Sequence, residues 1–235
     1  MRRIVIKIGG HLIFSRNIET DRLKEIINVI EILHNENIDV KIIIGGGESA
    51  RKYIEAAGII GLNEFDKDFI GIMTTWINAF IIASALGEIA YKPIPRSIEE
   101  VLTAINFSDK ILVCGGLIPG QSTMSVTAII AEAVKADLII DATDVEGVYT
   151  SDPKKDPNAK FLREVTTLQL KKILETQKST AGEYKLIEDN AIKIVERSRI
   201  PLRIINGLKV ENIIKAARGE DVGTLIMIKQ DKNKR

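Results

Sequence analysis

Apolar residues in this chain follow two alternating patterns. Short, nearly continuous runs rich in Ile, Val and Leu predict strands at RIVIKI (3–8), VKIII (40–44), KILVC (110–114), DLIID (137–141), LRIIN (202–206) and TLIMI (224–228). Between them, apolar positions at helical spacing predict helices over 21–36, from Glu48 or Ser49 onward, over 69–91, at about 125–135, and over 166–175, 184–198 and 209–217. SIEEVLTAI adds a helix with Ser97 as its cap and Glu100 three residues on. Pro93 and Pro95 mark one loop and 152–160 another, and the charged tail QDKNKR reads as a solvated end. No repeat of 20 to 50 residues interrupts the order.

Strands apolar on both faces and alternating with helices predict an α/β fold, a largely parallel sheet covered by helices. A length of 235 residues suits one such domain or two closely joined lobes. Lys and Arg total 33 against 32 Asp and Glu, a net of +1, which argues against a general nucleic-acid binder. One cysteine, Cys114, excludes an internal disulfide framework and a cysteine-built zinc site, and it points to a reduced, cytoplasmic compartment. MRRIVIKIGG has no leader-like cleavage pattern and reads as a first strand. The apolar stretch 69–91 carries Thr74, Thr75, Asn78, Ser84 and Glu88, so it reads as a buried or subunit-interface helix of a soluble protein with no membrane partner.

Chemistry enters through glycines. Gly9-Gly10, Gly45-Gly46-Gly47 and Gly115-Gly116 each follow a predicted strand, where ligands of a parallel sheet bind. Glycine there is also ordinary turn chemistry, but it lets a phosphate approach backbone N–H groups and a helix N-terminus. Lys7 stands in an otherwise apolar strand two residues before the first pair, which suits a cation matched to a transferring phosphoryl group. No G-x-x-x-x-G-K-[ST] segment occurs. Gly45, Gly47 and Ala50 fit G-x-G-x-x-A and keep a dehydrogenase open as an alternative, although the acids that follow, between Glu64 and Asp68, lie in helical context.

Four ordered blocks, KIGG (7–10), GGGESAR (45–51), GGLIPGQST (115–123) and ATDVEGVYTSDP (142–153), resemble the amino acid kinase family, and within it the archaeal uridylate kinases. AIKIVERS (191–198) and GTLI (223–226) add to the match. The resemblance implies a three-layer αβα sandwich in which an N-terminal lobe, about 1–135, holds UMP and a C-terminal lobe, about 136–235, holds ATP. It implies transfer of the γ-phosphoryl of Mg-ATP to UMP, with Mg²⁺ arriving on ATP and no dedicated protein ligand set, in a homo-oligomer, by resemblance a hexamer.

Residue by residue, the resemblance assigns Lys7 and Arg51 to catalysis. It assigns Gly9, Gly10, Gly47, Arg51, Thr143, Tyr149 and Asp152 to ATP, and Gly46, Asp68, Leu117, Ile118, Pro119, Gly120, Gln121, Ser122 and Thr123 to UMP. Phosphoryl transfer asks for positioning and charge neutralisation, so two cations and helix N-termini suffice without a nucleophilic side chain. Arg51 lies about one helical turn past the glycine triplet and can return over a phosphate there.

Departures from the family pattern are local. His11 replaces the more usual Lys or Ser and reads as a surface loop histidine; Asp144 and Glu146 stand in TDVEGVY where T-N-V-D-G-V-Y is usual and read as binding modifiers. Glu188 and Asp189 replace a common Asp-Pro at the start of a helix. Ser49-Ala50-Arg51 after the glycine triplet favours a nucleotide acceptor over isopentenyl phosphate. Another small-phosphate kinase of this fold and a degenerate, non-catalytic nucleotide sensor stand as the alternatives.

Overall fold

The computed structural model describes residues 1–153, 156–177 and 187–228. Among the described residues, strands β1 (Arg3–Ile8), β2 (Asp39–Ile44), β3 (Leu112–Cys114), β4 (Leu138–Thr143), β5 (Val148–Tyr149), β6 (Phe161–Leu162), β7 (Glu164–Thr166), β8 (Leu202–Asn206) and β9 (Thr224–Met227) alternate with eight α-helices. These are α1 (Thr20–Asn35), α2 (Gly47–Ile59), α3 (Glu64–Leu86), α4 (Ile98–Phe107), α5 (Thr123–Val134), α6 (Thr167–Gln177), α7 (Asp189–Ser198) and α8 (Glu211–Arg218). Seven strands form one sheet in the order β3-β2-β1-β4-β8-β9-β7. The five from β3 to β8 run parallel, and β9 runs antiparallel to β8.

Two apolar layers explain why the strands read as continuous hydrophobic runs. Ile4, Ile6 and Ile8 of β1 face one layer, with Val29 and Ile30 of α1, Ile82 of α3 and Ile213 of α8. Val5 faces the other, with Val101 of α4, Val126 of α5, Leu170 of α6 and Val195 of α7. Burying such side chains contributes about 1.5–3 kcal/mol each. Cys114 lies in the second layer, where burial pushes its thiol up to about 12, so it serves as packing.

The predicted 69–91 helix shifts at both ends, and three short strands join the predicted set. Helix α3 starts at Glu64, not 69, because the Asn63 side chain accepts the Asp66 N–H at 2.9 Å. It ends at Leu86, not 91, where Gly87 takes a φ of 62°, and a 3-10 turn Gly87–Ile89 follows. The two-residue strands β5 and β6 pair as an antiparallel ribbon, and β7 precedes α6; all three are too short for a periodic signal. Ser97 caps α4 as predicted, accepting Glu100 N–H at 3.2 Å, and the Glu100 side chain accepts the Arg96 N–H at 2.7 Å. The predicted start of α7 at 184, part of the 152–160 loop and the tail QDKNKR lie outside the described residues.

Candidate active site

The chain builds β1, β2 and β3 outward in one direction, then crosses through α5 to lay β4 on the other side of β1. This reversal opens a crevice at the carboxyl ends of β1 and β4, the place where open parallel sheets bind ligands. Lys7 and Asp141 are directly paired in register across it, with Lys7 Nζ 2.8 Å from Asp141 Oδ1 and both side chains buried. Asp141 Oδ2 is buried with no hydrogen-bond partner. A buried lysine held by a buried carboxylate is a fixed cation near the carboxyl end of β1.

Glycine lets the loops after β1 and β2 close on each other. A methyl group on Gly10 would overlap the Gly45 carbonyl and the Gly47 nitrogen, and one on Gly47, whose φ is 70°, would overlap the Phe14 carbonyl. Gly46 and Gly47 open α2, whose N-terminus has no side-chain cap, leaving its partial positive charge to a ligand.

The inner face of α3 fixes both glycine loops. Asn78 Nδ2 donates to the carbonyls of Gly45 at 2.9 Å and Gly46 at 3.2 Å. Thr75 Oγ1 accepts the Gly116 N–H at 2.7 Å, and Trp76 Nε1 donates to the Gly116 carbonyl at 2.8 Å. Asp68 Oδ2 accepts the Gly120 N–H at 2.7 Å, tying the first turns of α3 to the loop before α5. This sets Asp68 against the loop's backbone, beside the cavity.

Between these elements lies a cavity of about 200 Å³ lined by Gly46, Asp68, Ile118, Pro119, Gly120, Gln121 and Thr123 among others. Seven of the nine residues expected for the acceptor meet there. Leu117 does not: it packs into the second apolar layer. Ser122 is used as the cap of α5, accepting Ser125 N–H at 3.2 Å. Gln121 Oε1 is buried without a hydrogen-bond partner, an acceptor left for a ligand. A larger groove, about 770 Å³, runs along Trp76, Phe80, Pro93 and Arg96; no glycine loop borders it, whereas Gly46, Gly116 and Gly120 line the smaller cavity.

On the other side of the crevice, Thr143 is buried at the end of β4, and Tyr149 of β5 meets Phe161 edge to face at 5.5 Å. Asp152 is half-buried in the loop beyond. Arg51 is exposed on α2. Glu146 accepts from Asn206 Nδ2 at 2.9 Å and pairs with Lys209 at 2.8 Å, bonds that hold its carboxyl below the usual carboxylate range. It therefore ties the loop after β4 to the loop after β8.

His11 is not the surface histidine expected from the sequence. It is half-buried in the 3-10 turn Gly10–Leu12, with Nε2 3.4 Å from Asp144 Oδ1. Burial pushes its pKa below the ordinary histidine value; Asp144 and Asp141 act against that, and Lys7 and Arg51 with it.

Residues 2–206 match the family model described as the amino acid kinase family. The chain belongs to the amino acid kinase family. Among its relatives, the uridylate kinase of Metallosphaera sedula is 40% identical over 225 residues, covering 95% of this chain and 98% of that protein. The uridylate kinase of Sulfurisphaera tokodaii is 39% identical with the same coverage. The crystal structure of uridylate kinase from Archaeoglobus fulgidus superposes with a TM-score of 0.84 at 37% identity, over 96% of this chain and all of that one. The three-layer amino acid kinase fold expected from the blocks is thus the fold observed.

Sequence reasoning missed Asp141, Thr75, Trp76 and Asn78 as residues that build this amino acid kinase site. Asp141 gave the same signal as Lys7, a charge in an apolar strand, and Thr75 and Asn78 gave another, polar residues three apart on an apolar helix. Among the described residues, no three His, Cys, Asp or Glu side chains cluster to hold a metal ion.

Proposed function

We propose that this chain transfers the γ-phosphoryl group of ATP to the phosphate of UMP, giving UDP and ADP. The observation that carries the reading is the cavity between Gly46 and the 118–123 loop, bordered by Asp68, on the same glycine loop that meets Gly10 just beyond the Lys7–Asp141 pair. UMP occupies this cavity with its phosphate at the Gly45–Gly47 turn and α2 N-terminus; its base and ribose meet Gln121, Thr123 and Asp68. ATP lies across the crevice, with its nucleoside near Thr143, Tyr149 and Asp152 and its phosphates against Gly9, Gly10 and Gly47. Residues 1–135 thus form the acceptor side and 136–235 the ATP side, and Mg²⁺ comes on the phosphates of ATP.

The acceptor phosphate oxygen attacks the γ-phosphorus as the bond to ADP breaks, with no covalent enzyme intermediate. Lys7 neutralises charge on the oxygens of the phosphoryl group in flight, and Asp141 keeps the ammonium aimed there. Arg51 clamps phosphate from α2. The glycine loops supply backbone N–H groups at fixed positions, so little reorganisation is needed at the moment of transfer.

We place the enzyme in the cytoplasm as a soluble homo-oligomer, without nucleic-acid or membrane partners. Helix α3 is long and apolar enough to cross a membrane by composition. Its inner face, however, is packed on the sheet and bonded to both glycine loops, which makes it a core helix with one outer apolar side.

The deciding experiment follows ADP production with Mg-ATP and UMP, CMP, AMP, GMP or isopentenyl phosphate. UMP-selective turnover supports the reading. Binding of ATP and UMP with no turnover of any acceptor overturns it in favour of a nucleotide sensor.

A further inference from the structure

The reaction above leaves one titratable group at the crevice without a task. His11 follows the glycine pair of β1, and Asp144 follows the last residue of β4, so the two face each other across the switch point of the sheet. Both are positions at which this chain departs from the family pattern. Their 3.4 Å contact lacks hydrogen-bond geometry, and His11 Nε2 is buried with no partner. A buried imidazole nitrogen without a partner is costly, and a ligand that supplies one removes the cost.

The charges around the ring come from every element packed there. Asp141 of β4 and Asp144 beyond it favour the imidazolium, while Lys7 of β1, Arg51 of α2 and burial oppose it. Burial thus favours the neutral imidazole, which lies close to the positive charges of Lys7 and Arg51. A nucleotide polyphosphate brings several negative charges to the same loops. It offsets Lys7 and Arg51 and attracts a proton to the ring directly, which reverses the balance.

We propose that His11 is a phosphate-contacting residue that takes up one solvent proton as the polyphosphate binds and returns it when product leaves, with Asp144 as the residue that positions its ring. The inference rests on the kinase reading. The proton goes from solvent to the ring; the imidazolium then donates a hydrogen bond to a phosphate oxygen, and no nucleotide bond is made or broken by it. Nucleotide affinity is then proton-linked and weakens as pH rises through the pKa of bound His11. A lysine at this position stays charged throughout and gives no such dependence.

The chain has two histidines, His11 and His34, so their ring Cε1–H proton resonances can be assigned with His11→Gln. These are titrated from about pH 5 to 9, with and without saturating ADP, His34 serving as the internal control. The expected result is a His11 midpoint raised by about one unit or more when ADP is bound. Asp144→Asn lowers the midpoint in the free protein, and His11→Lys abolishes the alkaline rise in the KM for ATP shown by the parent enzyme. If ADP saturates other resonances and the His11 midpoint stays or falls, the proposal is wrong. If ADP perturbs no resonance, the kinase reading fails before it.

Discussion

Lys7 and Asp141 hold opposite charges out of water on adjacent strands, 134 residues apart in sequence. Removing one partner strands the other, so Lys7→Ala is expected to cost ~3–5 kcal/mol of stability as well as activity. Thermal unfolding and steady-state kinetics separate the two: Lys7→Arg keeps a cation and much of the stability, yet misplaces it and lowers kcat by about 10²-fold. Asn78 acts one step further from the chemistry. Asn78→Ala removes the donor to the Gly45 carbonyl and leaves the Gly46 carbonyl only the longer bond from the Ala50 N–H, at about 1–3 kcal/mol. The glycine turn loosens, and the KM for UMP rises more than that for ATP, as initial-rate kinetics with each substrate varied would reveal. Lys7 was legible in the sequence because a charge in an apolar strand needs a reason. Which carboxylate answers it was not, because that depends on which strand lies beside β1.

Among the elements, the loops after β1 and β2 work as a unit, with Gly10 in contact with Gly45 and Gly47. Gly10→Ala forces backbone apart, costing about 1–3 kcal/mol or more where the loops cannot yield. The expected readout is a lower melting temperature together with weaker nucleotide binding, measured by calorimetry; a variant that melts lower but binds ADP unchanged would show the contact to be structural only. Helix α3 shows how the register of an element decides its role. Its apolar run is legible, but the Asn63 cap stands before that run, so the predicted start falls after Asp68. The extra turns bring Asp68 to the Gly120 N–H, while Thr75 and Asn78 face inward at helical spacing. Polar residues that looked like interruptions of an apolar helix are its bonds to the site.

At the scale of the whole molecule, the outer face of α3 remains to be accounted for. Phe65, Phe69, Met73, Ile77 and Phe80 recur every three to four residues and are all exposed, with Ile77 at 61% and Phe80 at 59%. An apolar stripe of this kind marks an interface, and a second copy of the chain fits the oligomer proposed above. Ile77→Glu with Phe80→Glu is expected to lower the mass in sedimentation equilibrium. The same helix bonds to Gly116, just before the loop proposed to hold UMP, through Trp76 and Thr75, so the KM for UMP should rise with dissociation. A double variant with unchanged mass would remove α3 from the interface.

The sequence by itself determined the parallel α/β sheet, the three glycine loops and the ordered blocks of the family, because each is local: a run of residues with one period, or a short motif at one place. Tertiary structure alone decided the Lys7–Asp141 pair, the bonds from α3 to the glycine loops, the burial of Leu117 and the meeting of His11 with Asp144. These depend on strand order and helix register, which bring together residues that no spacing along the chain connects.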